Sequence, residues 1–98
     1  MKTTMEIIRE DNDGKGAFRA IEGDIQMGEM TYIWRGENKI LIFHTGVEPE
    51  FEGQGIGKQL MMEAVDFSRK NDVKIIPLCP FVKAQYKRMP EIRDTLAD

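Results

Sequence analysis

Lys39-Ile40-Leu41-Ile42-Phe43-His44-Thr45, followed by Glu52-Gly53-Gln54-Gly55-Ile56-Gly57-Lys58, sets a buried strand before a glycine-rich loop and a helix. Ile40 and Ile42 fall on one face of the strand and Leu41 and Phe43 on the other. That pattern predicts a central strand buried on both sides. Past Gly55 the period changes. Ile56, Leu60, Met61, Ala64, Val65 and Phe67 recur at helical spacing, leaving Lys58, Glu63, Asp66 and Lys70 to solvent. Glycines at 53, 55 and 57 let the backbone curl so that several N–H groups point at one anion. The helix N-terminus adds roughly half a positive charge. Together they predict a phosphate or pyrophosphate site with Lys58 at its rim. A P-loop fails because Gly57-Lys58 is followed by Gln59, and a dinucleotide fingerprint fails because Lys58 stands where its third glycine belongs. The alternative is a strand-to-helix turn with no ligand.

Outward from this stretch, Met5–Arg9 and Gly16–Glu22 read as strands around the turn Asp11-Asn12-Asp13-Gly14. Gly23-Asp24 turns the chain into a strand over Ile25–Trp34, with Met30, Tyr32 and Trp34 on one face. Arg35-Gly36-Glu37-Asn38 leads to the strand Lys39–Thr45. On the C-terminal side Asn71-Asp72 ends the helix, and Val73–Leu78 reads as a strand. Cys79-Pro80 opens a second helix with Pro80 near its first position. Its apolar face is Phe81, Val82, Tyr86 and Met89, with Gln85 at the margin, and Pro90 stops it. The fold class expected is α/β, or α+β: an antiparallel meander, then helix, strand, helix, in one domain over residues 1–98.

Composition narrows the function. A net charge of −3 offers no electrostatic footprint for nucleic acid. The longest apolar run, Ile40 to Phe43, is far too short to span a membrane. Met1–Glu6 lacks the apolar stretch of an export signal, so the expected location is cytoplasmic. With one cysteine and one histidine, no metal site is expected.

The chain resembles the GNAT acetyltransferase superfamily, which carries Arg/Gln-x-x-Gly-x-Gly/Ala between a strand and a helix. The counterpart here is Glu52-Gly53-Gln54-Gly55-Ile56-Gly57. The resemblance is closest to a subfamily of short members, through His44-Thr45, Cys79-Pro80-Phe81-Val82 and Pro90-Glu91. It implies a mixed GNAT-like sheet, acetyl-CoA or coenzyme A as cofactor, and an amine acceptor, either a small molecule or a protein. It also implies cofactor contacts from the bulged strand Phe43–Val47, Thr45 and Val47 included, and from Gly53, Gln54, Gly55, Ile56, Gly57 and Lys58. Three positions depart from the pattern: Glu52 replaces Arg or Gln, Gln85 an aromatic, and Met89 a histidine. Tyr86, seven residues after Cys79, stands where larger members place a tyrosine that protonates the leaving thiolate. The chain has almost no room for the helices and strands that hold the acceptor in those members.

Two single residues are candidate catalysts. Cys79 precedes an apparent helix start, where a thiolate is favoured, and otherwise reads as a small core residue. His44 alternates in phase with Ile40 and Ile42, which reads as a core histidine; as the only imidazole it is also the candidate general base. Lys83, Lys87 and Arg88 read as a solvated helix face with at most a weak contact to the cofactor's phosphates. Three functions stay open: an acetyl-CoA-dependent N-acetyltransferase, a coenzyme A-binding module without transfer, and an interaction domain with a vestigial loop.

Overall fold

The computed structural model describes residues 5–97. Five strands form one sheet in sequence order: β1 (Glu6–Asn12), β2 (Lys15–Glu22), β3 (Ile25–Trp34), β4 (Lys39–Val47) and β5 (Lys74–Pro77). The first four are antiparallel neighbours, and β5 lies parallel to β4. Helix α1 (Ile56–Asn71) makes the crossover between β4 and β5, and α2 (Pro80–Arg88) follows β5. The expected order of meander, helix, strand, helix is therefore present. The first hairpin is tighter than the four-residue turn expected. Asp13 and Gly14 both take positive φ, 56° and 85°, which matches the twist of the flanking strands.

Register explains the core. Phe18 sits opposite Met30, Tyr32 opposite Ile42, Trp34 opposite Ile40, and Ile40 opposite Ile75. Side chains alternate along a strand, so this row faces one side of the sheet. Both helices pack there: α1 through Ile56, Leu60, Met61, Ala64 and Val65, and α2 through Val82 and Tyr86. Each large apolar side chain buried this way is worth about 1.5–3 kcal/mol. Asp72, at φ 55°, ends α1 where Asn71-Asp72 was expected to end it.

One expectation about β4 is corrected. The strand is interior in the sheet, yet only one face of it is buried. Phe43 is 43% exposed and Ile33 beside it 40%, because both helices cover the opposite face. The strand is also bulged, as the family resemblance implies. Thr31 pairs with His44 and Tyr32 with Ile42, which leaves Phe43 without a partner.

The C-terminal segment closes the core beyond α2. A 3-10 turn over Pro90–Thr95 brings the Thr95 hydroxyl 2.7 Å from the Tyr86 hydroxyl, and Thr95 donates to the Ile92 carbonyl. Burial pushes the Tyr86 phenol up to about 12. Removing it leaves Thr95 its bond to Ile92. Tyr86→Phe is therefore expected to cost about 1 kcal/mol, a fall in melting temperature of about 4–8 °C. Thermal unfolding followed by circular dichroism measures it, and an unchanged melting temperature would contradict the assignment.

Candidate functional site

A groove of about 600 Å³ opens between the start of α1 and α2. Thr45 and Val47 of β4 form its floor, with Gly53, Gly55, Ile56, Gly57 and Lys58 on one side. Phe81, Gln85 and Arg88 of α2 form the other side with Met89 just past its end, and Phe51 and Glu52 also line it. The volume is in the range of sites for small molecules and cofactors.

The loop side is backbone chemistry. Gly53 and Gly55 hold φ of 85° and 77°, a left-handed conformation that side-chain-bearing residues adopt at a cost. Gly55 is the N-cap of α1, with no side-chain cap, and the first turn carries no acidic residue. The leading N–H groups of the helix therefore lack partners within it. Gly57 serves a different purpose. A Cβ there would lie 2.9 Å from Cζ of Phe81, so its absence lets the aromatic ring close against α1.

The floor depends on the bulge. Beyond Phe43 the alternation of β4 is reversed. Thr45 pairs with core-facing Met30 and Val47 with Gly28, so both side chains turn to the groove. Glu48 donates its N–H to the Met27 carbonyl at 2.9 Å. That bond makes Gly28–Val47 a non-hydrogen-bonded pair, so the Val47 N–H points away from β3. On its far side β4 has lost its neighbour. Pairing with β5 ends at Ile42 opposite Pro77, and Leu78 and Cys79 both donate to the Ile42 carbonyl, at 3.0 and 3.1 Å. From Phe43 to Val47 that edge has no strand partner among the described residues.

Cys79 closes the inner end of this gap. It is buried, at 5% exposure, and is the N-cap of α2. Its Sγ lies 3.6 Å from Oγ1 of Thr45. Burial pushes the thiol up, but the Thr45 hydroxyl and the amides of Val82, Phe81 and Thr45 outweigh it and hold the thiol below its ordinary value. Cys79 is thus a core residue whose thiol ionises more readily than an ordinary one, one contact behind the groove wall.

His44 is not a core histidine. It is exposed and shares a face with Thr31, the side opposite Thr45 and Val47, and it does not line the groove. The bulge at Phe43 breaks the phase that links it to Ile40 and Ile42. Gln54 also lies outside the groove wall. The remaining loop residues, Gly53, Gly55, Ile56, Gly57 and Lys58, are brought together with Thr45 and Val47. Of the α2 side, the sequence suggested only a weak phosphate contact from Arg88, and it did not place Phe81, Gln85 or Met89 in the site; Gln85, polar within an otherwise apolar stripe, was the signal for the rest. Tyr86 faces elsewhere, its hydroxyl engaged by Thr95. Among the described residues no group of three His, Cys, Asp or Glu could hold a metal ion. Nor is any described helix long and apolar enough to cross a membrane.

A family model for the GCN5-related N-acetyl-transferase matches residues 17–95. The chain belongs to this GNAT family. Among solved structures it is similar to a GCN5-like protein of Staphylococcus aureus, 31% identical with a TM-score of 0.67, covering 92% of this chain and 87% of that one. It is also similar to an aminoglycoside acetyltransferase from a soil metagenome, solved with sisomicin (17% identity, TM-score 0.64, 80% and 57% covered). A third is a Bacillus subtilis acetyltransferase solved with CoA (19%, 0.58, 78% and 64%). The likeness to these last two is one of fold, and the chain spans less than two thirds of their length. No curated protein sequence matches it. The mixed sheet expected of a GNAT protein is the one observed.

The thiol geometry has a direct readout. The rate of iodoacetamide alkylation of folded protein is expected to rise with pH about a midpoint below the value of about 8.5 for a free cysteine. Thr45→Val removes one group that favours the thiolate and should move that midpoint upward. A wild-type midpoint at or above that of the unfolded chain would contradict the assignment.

Proposed function

We propose that this GNAT protein is an acetyl-CoA-dependent N-acetyltransferase, acting as one domain over residues 1–98 in the cytoplasm on a small-molecule or protein amine. One observation carries the cofactor assignment. The uncapped, acid-free amino end of α1 opens, through two left-handed glycines, onto a groove of cofactor size. Oriented amides at a helix start suit a pyrophosphate. The amides of Ile56, Gly57 and Lys58 would hold it. The unpaired edge of Phe43–Val47 suits the amides of a pantetheine arm, as a strand edge suits any extended amide chain. When bound, acetyl-CoA supplies an acetyl group activated as a thioester.

The chain's own residues then have distinct tasks. The outward Val47 N–H is placed to polarise a carbonyl lying on that edge. His44 faces the open side of the sheet, on the stretch of β4 that lies beyond its pairing with β5. An amine arriving from the open side would meet His44, which takes its proton. Cys79 would either orient the acceptor or, as the thiolate, take the acetyl group first and pass it to the amine; in both cases coenzyme A would be released as the thiol, with the proton that the amine gives up. The second reading, a coenzyme A-binding module without transfer, is favoured by exposed Glu52 at the groove mouth, where an acid opposes phosphate. Acetyl-CoA that binds and is neither hydrolysed nor transferred would establish it.

Coenzyme A is expected to raise the melting temperature, because a ligand that binds only the folded state stabilises it. Gly55→Asp should abolish that shift by setting a carboxylate where the pyrophosphate sits. No shift with wild type at millimolar coenzyme A would overturn the proposal. His44→Ala is expected to reduce turnover by about 10²-fold or more. Its coenzyme A affinity should stay near wild type, with stability within about 0.5 kcal/mol, as for an exposed site. Turnover unchanged in this variant would remove His44 from the mechanism.

A further inference from the structure

The face of the sheet that both helices leave open carries a second cavity, a trough of about 380 Å³. Register makes its floor. Ala17 and Thr31 stand opposite each other, and the pairs on either side are larger: Arg19 with Glu29, and Lys15 with Ile33. A row of small side chains therefore lies sunk between two taller rows. At the β4 end stands the bulged residue Phe43, 43% exposed. The next residue, His44, is the cross-strand partner of Thr31. The trough thus runs across the strands to the candidate base. The Thr31 hydroxyl is buried, and among the described residues it is the one such side-chain atom found without a hydrogen-bond partner. A buried polar atom left unpaired calls for an explanation, and a ligand seated over it is one.

Charge divides the two walls. On one, Arg19 holds two carboxylates, Glu10 at 2.7 Å and Glu29 at 2.5 Å, so the group carries one net negative charge. Glu29 pairs in register with Gly46, and the His44 ring lies over Gly46, its Nε2 3.0 Å from where a Cβ would stand. The negative wall is the one beside the imidazole. On the other wall Lys15 is exposed and belongs to no ion pair found among the described residues. Asn12, its cross-strand partner, is exposed beside it and also lines the trough. An ammonium is favoured near Glu29 and a carboxylate near Lys15. Ala17 and Phe43 offer apolar surface between them. Lys15 lies on β2 and His44 on β4, two strand spacings or roughly 10 Å apart. An α-amino acid, with its two charges adjacent, is too short to meet both.

We propose that the trough is the acceptor site and that the acceptor is an amine bearing a carboxylate several carbons away: Lys15 and Asn12 hold the carboxylate, and the amine is delivered to His44. This rests on the N-acetyltransferase reading above. The amine nitrogen bonds to the acetyl carbon, the thioester C–S bond breaks, and the proton taken by His44 ends on the coenzyme A thiol.

Acetylation of 6-aminohexanoate, hexylamine and 1,6-diaminohexane tests it on wild type, Lys15→Gln and Ala17→Leu. Wild type is expected to prefer 6-aminohexanoate to either competitor by about tenfold or more in kcat/KM, the effect of one charge-assisted contact. Lys15→Gln, at an exposed position that leaves the fold intact, should abolish that preference. Ala17→Leu fills the floor and should lower kcat/KM for 6-aminohexanoate about tenfold or more, while coenzyme A still raises its melting temperature. Equal rates with and without the carboxylate, or a preference unchanged in Lys15→Gln, would overturn the trough and leave the transferase reading standing. If no amine is acetylated, that reading fails and binding alone decides the trough. By NMR of the backbone amides, 6-aminohexanoate at high millimolar concentration should then shift Ala17 and Thr31 in wild type and not in Lys15→Gln. No shift in wild type would overturn it.

Discussion

The extra residue at Phe43 is the constraint on which the site depends. Strand side chains alternate with a period of two, so one inserted residue reverses the face of everything after it. Before the bulge, Ile40 and Ile42 face the helices. After it, Thr45 and Val47 do, and His44 is sent to the open side. Without the bulge His44 would stand in the groove and Thr45 outside it, away from Cys79. The same insertion fixes the outward direction of the Val47 N–H, because it sets which pairs of the β3–β4 ladder are hydrogen-bonded. One unpaired residue thus determines the groove's floor, its free edge and the thiol's partner.

The bulge alone would not expose that edge. β5 has only four residues, and its ladder to β4 ends where Leu78 donates to Ile42; Pro77, like Ile75, faces the opposite edge. The chain then turns, with Leu78 and Cys79 both bonded to one carbonyl of Ile42. Pro80 fits the first position of α2, where no N–H is needed, and so fixes the helix start directly after Cys79. The parting of the strands and the dipole behind the thiol share an origin in a few residues, Leu78 to Pro80. Two helix amino ends, those of α1 and α2, then serve one region of a chain whose net charge is −3. The attraction for an anion is local and built from backbone, not from composition.

Most of the fold was legible because periodicity reports it directly. The β3 strand, the α1 helix, its end at Asn71-Asp72 and the glycine loop all follow from spacing and turn residues within single segments. What was not legible depends on two segments at once. A bulge is a mismatch between strands, so counting along β4 alone put His44 in phase with Ile40 and Ile42. The burial of Leu41 and Phe43 depended on where α2 would return, and it returned to the face α1 already covered. The Arg88 position looked like a solvated helix end because a helical wheel shows which residues share a face and not what stands opposite. Only the packing of α2 beside the start of α1 makes that stripe a wall.

The three loop glycines are chemically alike and physically different. At 53 and 55 a Cβ would meet nothing within 4 Å, so the demand is on φ alone. At 57 the backbone is helical and the demand is on space, because Phe81 fills it. The family pattern allows alanine at the last position, yet here an added methyl would have to push the ring of Phe81 by several tenths of an ångström. Phe81 is the first residue of the α2 stripe, so that push would be passed to the spacing of the two groove walls. The width of the groove is therefore held by a contact between a loop glycine and an aromatic ring. This ties the glycine motif to Cys-Pro-Phe-Val: one shapes the turn, and the other supplies the ring that the third glycine accommodates.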